Sequence, residues 1–279
     1  MRKIKSRTII NTVQNLCADA NFELPMDVLK SLEKRVVFER GIARDILEEI
    51  IENAFIAKGR RIPLCQDTGT ANFFVKLGDS MSIEGENIYY AINKGVSLGY
   101  TRNYLRKSIV LDPLERKNTQ DNTPANIYIE IVPGDKIEIT FLAKGGGSEN
   151  ASSLKMLTPS AGWNGIKEFV LNTLNEKGRN ACPPLIVGVG IGGDFSSVGL
   201  MSKKALIREI GSENKNIFYS EKEKELLDEI NKLDIGPMGI CGITTALAVF
   251  IETKPVHIAS LPASVNIQCH SFRRKTVII

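Results

Sequence analysis

Three of the five cysteines lie in unusual local motifs that are far apart in the sequence. These motifs are Pro-Leu-Cys65-Gln-Asp-Thr-Gly, Asn-Ala-Cys182-Pro-Pro and Asn-Ile-Gln-Cys269-His. None of the three has a second cysteine at Cys-x-x-Cys spacing. Thiolates are soft ligands, and three that converge on one centre leave a coordination position open. The sequence therefore predicts a soft-metal site at which a substrate binds the open position.

A carboxylate lies next to the first of these cysteines. Asp67 follows Cys65 by two residues, and a carboxylate beside a metal ligand is a natural candidate for acid–base catalysis. A simple turn between a helix and a strand would explain Asp67 and Gly69. It would not explain the cysteine and Gln66 beside them, so a functional loop is the better interpretation.

The only two histidines, His257 and His270, both lie in the segment that carries Cys269. A single histidine is more often a structural group than a catalyst, but two in this segment favour a function. Arg106 follows a predicted helix, where it is either a solvated charge or a clamp for a carboxylate, which its forked guanidinium suits. These side chains are candidates for proton transfer and for substrate binding.

Three glycine-rich segments allow close backbone approach. Lys144–Asn150 follows a predicted strand, and its N–H groups could bind an anion such as a carboxylate; the alternative is a flexible turn. Gly188–Gly193 formally matches the dinucleotide pattern G-x-G-x-x-G. Its glycines lie within a predicted strand outside any βαβ unit, so close packing is the better interpretation. Gly236–Thr245 is similar to a phosphate loop but lacks the lysine, and its function is open.

Composition is that of an ordinary globular protein, with 279 residues, 43% hydrophobic and 24% charged residues and a net charge of +4. Acidic and basic residues are mixed, which argues against a nucleic-acid arm. No stretch reaches the ~18 apolar residues of a membrane helix, and the N-terminus does not match a secretory signal. A cytoplasmic protein without disulfides is therefore expected.

Hydrophobic periodicity predicts a mixed α/β fold. Helices are predicted at 6–19, 26–38, 41–57, 84–101, 162–177, 198–210 and 220–233, and strands at 71–77, 126–132, 136–143 and 185–191. The turn signal at 133–135 predicts a hairpin between 126–132 and 136–143, and Ser220 with Glu223 predicts a capping box. One domain, 1–279, with a helical N-terminal layer and a mixed β-sheet core is the simplest interpretation.

Five motifs, in this order, resemble those of a known family. They are Cys65-Gln-Asp-Thr-Gly, Lys-Gly-Gly-Gly-Ser148-Glu-Asn, Gly-Val-Gly-Ile-Gly-Gly, Gly-Pro-Met-Gly and Asn-Ile-Gln-Cys269-His. The chain resembles the α subunit of two-subunit class I, iron–sulfur-dependent fumarate hydratases and the similar L-tartrate dehydratases. The resemblance covers nearly the whole chain with compatible spacing, which makes it highly specific.

The resemblance implies a [4Fe–4S] cluster bound by Cys65, Cys182 and Cys269, with the fourth iron open to substrate. It also implies that Asp67, paired with His257, is the acid that protonates the departing hydroxyl. The substrate contacts that it implies are Gln66, Arg106, Gly146 and Gly147. Elimination of water from a 2-hydroxy acid also needs a base for the carbon-bound proton.

The base implied by the resemblance is a threonine in another domain or subunit, together with further arginine and lysine ligands for carboxylates. The residues of this chain offer no obvious base, which independently indicates a missing partner. The resemblance therefore implies a β subunit, a dicarboxylate substrate and a higher hetero-oligomer. One departure from the family is Cys241, where the family usually has glycine, and its role is open.

The expected reaction is the reversible dehydration of (S)-malate to fumarate. Dehydration of L(+)-tartrate to oxaloacetate by the same architecture is the alternative. A non-catalytic iron–sulfur protein is a different class, but electron transfer normally uses a fully ligated cluster. A nucleotide-binding module built on Gly188–Gly193 is the remaining alternative.

Overall fold

The computed structural model describes Arg2–Ile279. Its main helices are α1 (Ser6–Phe22), α2 (Met26–Val36), α3 (Gly41–Arg60), α4 (Ile88–Arg102), α5 (Gly146–Asn150), α6 (Gly162–Lys177), α7 (Phe195–Ala205) and α8 (Ile217–Asn231). Its strands are β1 (Arg2–Lys5), β2 (Thr70–Gly78), β3 (Met81–Glu84), β4 (Asn126–Val132), β5 (Ile137–Lys144), β6 (Ser153–Leu157), β7 (Leu185–Gly193), β8 (Ala246–Val256), β9 (Leu261–Gln268) and β10 (Arg273–Ile278). The mixed α/β class and the helical N-terminal layer are confirmed.

The chain forms two compact units. The first unit contains the chain up to Pro25 together with Asn53–Gly146 and Ser271–Ile279. The second unit contains Met26–Glu52 and Gly147–His270. The assignment of 1–279 to one domain stays a prediction. No helix within Arg2–Ile279 has the length and apolar character needed to span a bilayer.

The first unit is built on a mixed sheet with the strand order β10-β5-β2-β4. β2 runs parallel to β4 and antiparallel to β5, so it separates the two strands that were predicted to pair as a hairpin. That prediction is wrong, although the turn at 133–135 does reverse the chain. The turn closes around the end of β2, where Ser80 donates to the carbonyl of Gly134 (2.8 Å). Ala71–Val75 of β2 are buried, which suits a central strand.

Helices α1 and α4 pack closely beside this sheet. A Cβ at Gly95 would lie 2.6 Å from Cβ of Val13, and one at Gly99 would lie 2.9 Å from Cβ of Cys17. Both glycines therefore allow the two helices to approach each other. Cys17 is fully buried in this core, and burial raises the pKa of its thiol far above the ordinary value.

The second unit has a mixed sheet with the order β6-β9-β7-β8. A Cβ at Gly188 would overlap the carbonyl oxygen of Ser202, and one at Gly190 would lie 2.5 Å from that of Val198. These glycines let α7 lie directly on β7, so the close-packing interpretation is confirmed.

Three helix starts differ from the predictions. Helix α4 begins at Ile88, four residues later than predicted. Helix α7 begins at Phe195, earlier than predicted, because the side chain of Asp194 accepts a hydrogen bond from the N–H of Ser197 (2.7 Å). The predicted capping box of Ser220 and Glu223 is wrong. Helix α8 is capped by Asn216, and Glu223 instead lies buried, where it accepts the N–H of Ile251 (2.7 Å) and a bond from Arg208.

Candidate functional site

The first predicted motif forms a short loop, residues 65–70, that we call the Asp67 loop. It connects the end of α3 to β2 in the first unit. Its entry is fixed because Leu64 donates to the carbonyl of Asn21 (2.8 Å) and accepts from the side chain of Asn53 (2.9 Å). Cys65 is half-buried and Gln66 is exposed. The backbone at the start of the loop is therefore fixed by hydrogen bonds.

Both carboxylate oxygens of Asp67 are held by backbone N–H groups. Gly69 donates to Oδ1 (3.0 Å) and Gly146 donates to Oδ2 (2.8 Å). Gly69 has φ +71, and a Cβ there would lie 2.6 Å from the carbonyl oxygen of Lys144, so no other residue fits. The glycine-rich segment Lys144–Asn150 was expected to bind an anion through its N–H groups. Within the first unit, the N–H group of Gly146 binds the carboxylate of Asp67 instead.

The Asp67 loop is also held from beneath by three buried side chains that the sequence analysis missed. Its carbonyl groups at Asp67, Thr68 and Gly69 accept hydrogen bonds from Arg273, Tyr100 and Asn122, in that order. The donors come from β10, α4 and the irregular segment before β4. No local sequence motif identifies these donors, because tertiary packing decides which buried side chain lies close enough to a backbone carbonyl to donate to it.

Arg106 lies beside this loop. Its backbone carbonyl accepts a hydrogen bond from the hydroxyl of Thr68 (3.1 Å), and its side chain is exposed. An exposed guanidinium is available to a carboxylate ligand. The clamp role of Arg106 stays a prediction.

The second unit brings the segments of Cys182 and Cys269 together. Cys269 follows β9, and Cys182 precedes β7, its antiparallel neighbour. The N–H of His270 and its ring Nδ1 both contact the carbonyl oxygen of Cys182, at 3.3 and 3.0 Å. Because a carbonyl only accepts, Nδ1 carries the proton in this bond. All five cysteines of the chain are outside disulfides.

Cys182 is exposed and lies in the segment Gly178–Pro184, which we call the Cys182 loop. The backbone of Cys182 is left-handed (φ 54, ψ 70), a conformation that few residues other than glycine adopt. Gly147 belongs to the same unit and is exposed, and a Cβ on it would lie 3.1 Å from the carbonyl oxygen of Asn180. The glycine at 147 therefore leaves room for the backbone of the Cys182 loop.

The glycine loop, Gly236–Thr245, supports the Cys182 loop. The N–H of Met238 donates to the carbonyl of Pro183 (2.9 Å), and Arg179 donates to that of Gly239 (3.3 Å). The far end of the glycine loop is held by the buried carboxylate of Glu39, which accepts from Thr244 (2.6 Å) and Ile243 (3.4 Å). Cys241 lies exposed in the middle of this loop, and its role stays open.

His257 lies exposed in the turn between β8 and β9. The N–H of Ala259 donates to its Nδ1 (3.2 Å), so the neutral ring carries its proton on Nε2. That nitrogen is available as a proton donor. Asp67 belongs to the first unit and His257 to the second, and their pairing stays a prediction.

The three predicted cluster ligands are divided in the same way. Cys65 lies in the first unit, whereas Cys182 and Cys269 lie in the second. Within Arg2–Ile279, no group of three or more His, Cys, Asp and Glu side chains is arranged to hold a metal ion. The three-cysteine ligand set therefore stays a prediction. Its donor chemistry, three thiols outside disulfides, fits an iron–sulfur cluster.

Comparison with known proteins identifies the class. Residues 10–278 match the family described as Fumarate hydratase (Fumerase). The chain therefore belongs to the fumarate hydratase family, which consists of hydro-lyases and includes the α subunits of tartrate dehydratases.

Named relatives cover almost the whole chain. It is 42% identical over 273 residues to "Putative L(+)-tartrate dehydratase subunit alpha" of Methanocaldococcus jannaschii, a match that covers 95% of each chain. It is 31% identical over 272 residues to L(+)-tartrate dehydratase subunit alpha of Escherichia coli K12, covering 96% of this chain and 89% of that protein. The family resemblance found from the motifs is confirmed.

Proposed function

We propose that this chain is the α subunit of a two-chain, [4Fe–4S]-dependent hydro-lyase that acts on a four-carbon 2-hydroxy dicarboxylate. The observation that carries the proposal is the arrangement of Asp67. It lies two residues after a half-buried thiol, with both carboxylate oxygens held by backbone N–H groups. A carboxylate fixed in this way is suited to transfer a proton at one defined place.

Cys65, Cys182 and Cys269 would hold the cluster. When bound, the cluster would supply an open iron as a Lewis acid for the substrate hydroxyl. The protein must keep three cysteines as thiolates, and none of them is in a disulfide. A cytoplasmic location belongs to the same proposal, because a reducing compartment preserves thiols.

The remaining residues handle protons and carboxylates. In the dehydration direction, the C–O bond breaks with its electron pair going to oxygen, and the Asp67–His257 pair supplies the proton that completes water. The C–H bond of the neighbouring carbon breaks, its proton goes to a base, and its electron pair forms the C=C bond. Arg106 would bind a substrate carboxylate, and the substrate would also contact Gln66, Gly146 and Gly147.

A β subunit would supply the base and further cationic ligands for the carboxylates. Two observations support this part of the proposal. The relatives named above are designated subunit alpha. The candidate residues of this chain provide an acid and groups that donate hydrogen bonds to a substrate carboxylate. They provide no base for the carbon-bound proton. A hetero-oligomer containing both chains is the expected enzyme.

Two substrates fit the proposal. (S)-Malate, in equilibrium with fumarate, is the substrate expected from the sequence. L(+)-Tartrate is the second candidate, because the names of the relatives favour it. The two molecules differ by one hydroxyl group, so a site that hydrogen-bonds this group would discriminate strongly between them.

Anaerobic co-expression with a candidate β chain tests the function. We expect a brown complex that contains about four irons per α chain and hydrates fumarate or dehydrates L(+)-tartrate. The α chain alone should retain the cluster but show little turnover. An iron-free complex after anaerobic reconstitution, or full turnover by the α chain alone, would contradict the proposal.

A further inference from the structure

A buried positive charge, that of Arg273, lies beneath the Asp67 loop and contacts the backbone of the proposed acid. Arg273 is the first residue of β10, and only 1% of its surface is exposed. It pairs with Ala143 of β5, which places it under the end of the strand that leads to Gly146. Its Nη1 donates to the carbonyl oxygen of Asp67. One buried guanidinium therefore holds the backbone of the residue whose side chain is the proposed acid.

The guanidinium also lies near the carboxylate of Asp67. A Cβ built on Gly145 would be 3.2 Å from Oδ2 of Asp67 and 3.5 Å from Nη2 of Arg273. A negatively charged oxygen and a positively charged nitrogen thus border the same small space. The missing side chain at Gly145 is what leaves this space open.

The neighbouring donors differ from Arg273 in one respect. Tyr100 (0% exposed) holds the carbonyl of Thr68 at 3.0 Å, and Asn122 (0% exposed) holds that of Gly69 at 3.1 Å. Burial raises the pKa of Tyr100 far above its ordinary value, so its hydroxyl keeps its proton and remains a donor. Of these three donors, only Arg273 combines a hydrogen bond to the loop with a positive charge near the carboxylate.

Burial of a guanidinium carries a large desolvation cost. Nε of Arg273 has no hydrogen-bond partner within Arg2–Ile279, so its hydrogen bonds do not fully offset this cost. A neutral donor would hold one carbonyl group at lower cost. The position of the charge is therefore better explained by its effect on Asp67.

We propose that Arg273 is a positioning residue for the acid: it fixes the backbone of Asp67 and attracts its carboxylate, so that Oδ1 and Oδ2 stay on the N–H groups of Gly69 and Gly146. This inference rests on the proposed role of Asp67. It adds a residue that does not contact the substrate but sets the place from which the proton is delivered.

Amide hydrogen exchange tests the positioning without any assay of activity. In the Arg273→Gln variant of the full chain, the amide of Gly146 should exchange at least about tenfold faster than in the native protein, because its acceptor is displaced. Asp67→Ala removes the acceptor and sets the upper limit of the change. Arg274→Gln alters the next arginine along β10, which stacks on Phe272, and should leave the exchange of Gly146 unchanged.

Two further variants keep the test decisive if Arg273→Gln does not fold. Arg273→Lys retains the charge with a different reach and should give an intermediate increase. Gly145→Ala puts a methyl group 3.2 Å from Oδ2 of Asp67 and 3.5 Å from Nη2 of Arg273, and should also release the amide of Gly146. Gly59→Ala, at a position with no atom within 4 Å of the added Cβ, is the matched control.

Kinetics of the complex with the β chain separate positioning from general stability. Arg273→Gln should lower kcat about 10- to 100-fold with little change in KM and in iron content, and Arg273→Lys should restore part of kcat. Exchange at Gly146 that equals the native rate in both Arg273→Gln and Arg273→Lys would overturn the inference. Faster exchange in an assembled complex that has no hydro-lyase activity would support the positioning while contradicting the proposed function.

Discussion

The Asp67 loop and the Cys182 loop are held in opposite ways. Buried side chains donate to successive carbonyl groups of the Asp67 loop, and backbone N–H groups hold its carboxylate. The Cys182 loop is held mainly through its own backbone, by contacts with the glycine loop and with His270. A side chain that acts as an acid needs a fixed orientation of its carboxyl group. A cysteine that binds a metal needs a backbone that places its sulfur correctly.

This difference predicts different sensitivities to substitution. Around Asp67, a change in one buried side chain should directly disturb the position of this proposed acid. Around Cys182, part of the support is indirect, because Glu39 holds the glycine loop and the glycine loop holds Pro183. Substitutions there should lower the stability of the second unit and the retention of metal, with a smaller effect on the rate of the reaction.

The largest expected effect is loss of the cluster. Serine in place of Cys65, Cys182 or Cys269 should remove essentially all cluster iron and the broad visible absorbance after anaerobic reconstitution, because a soft ligand is lost. Cys17→Ser, in the core of the first unit, is the control and should retain its iron. Equal iron content in Cys182→Ser and the native protein would show that the Cys182 loop does not provide a ligand.

The next effect separates chemistry from assembly. Asp67→Asn keeps the shape of the side chain and removes its role as proton donor, so kcat should fall about 10²- to 10⁴-fold while iron content stays constant. Asp45→Asn, exposed on α3, is the matched control and should keep native turnover. Native turnover by Asp67→Asn would assign the acid to another residue.

A smaller effect is expected at the support of the Cys182 loop. Glu39→Gln replaces one accepting oxygen by a donor that faces a backbone N–H, which should lower the free energy of unfolding by about 1–3 kcal/mol in urea titrations. Loss of iron in air should become faster as well. Glu33→Gln, exposed on α2, should change neither quantity, and equal stability of both variants would exclude Glu39 as a support.

The smallest effect concerns a region outside both loops. Hydrogen bonds from Lys222, Lys167 and Trp163 lower the pKa of Glu225 to about 2, from an ordinary value of 4.5. Its stabilisation is therefore present above pH 4.5 and lost as the pH falls toward 2. Glu225 is partly exposed and screened by solvent, so Glu225→Gln should cost less than about 1 kcal/mol at pH 7. A difference in stability that persists below pH 2 would contradict this account.

The sequence predicts those parts of the site that depend on local chemistry. Asp67 and the Lys144–Asn150 segment were singled out by their motifs and their roles stay predictions, whereas the glycines of β7 were correctly interpreted as a packing surface. The donors Tyr100, Asn122 and Arg273 were missed. They lie 32, 53 and 206 residues from the carbonyls they hold, and any buried donor would satisfy a carbonyl equally well.

The fold shows the same limit. Helices with a clear apolar face were predicted within a few residues of their ends. The insertion of β2 between β4 and β5 was missed, because a turn signal specifies that the chain reverses but not which strand fills the sheet beside it. The strands β8, β9 and β10 were not among those predicted with bounds.

The central claim is that three cysteines hold a cluster whose open iron faces the substrate. Mössbauer spectroscopy of the ⁵⁷Fe-reconstituted complex with the β chain, before and after addition of malate or L(+)-tartrate, tests it most directly. We predict that about one iron in four changes its spectrum with substrate, while the three thiolate-bound irons do not. A cluster in which every iron ignores both substrates, or a protein that binds no cluster, would contradict the account.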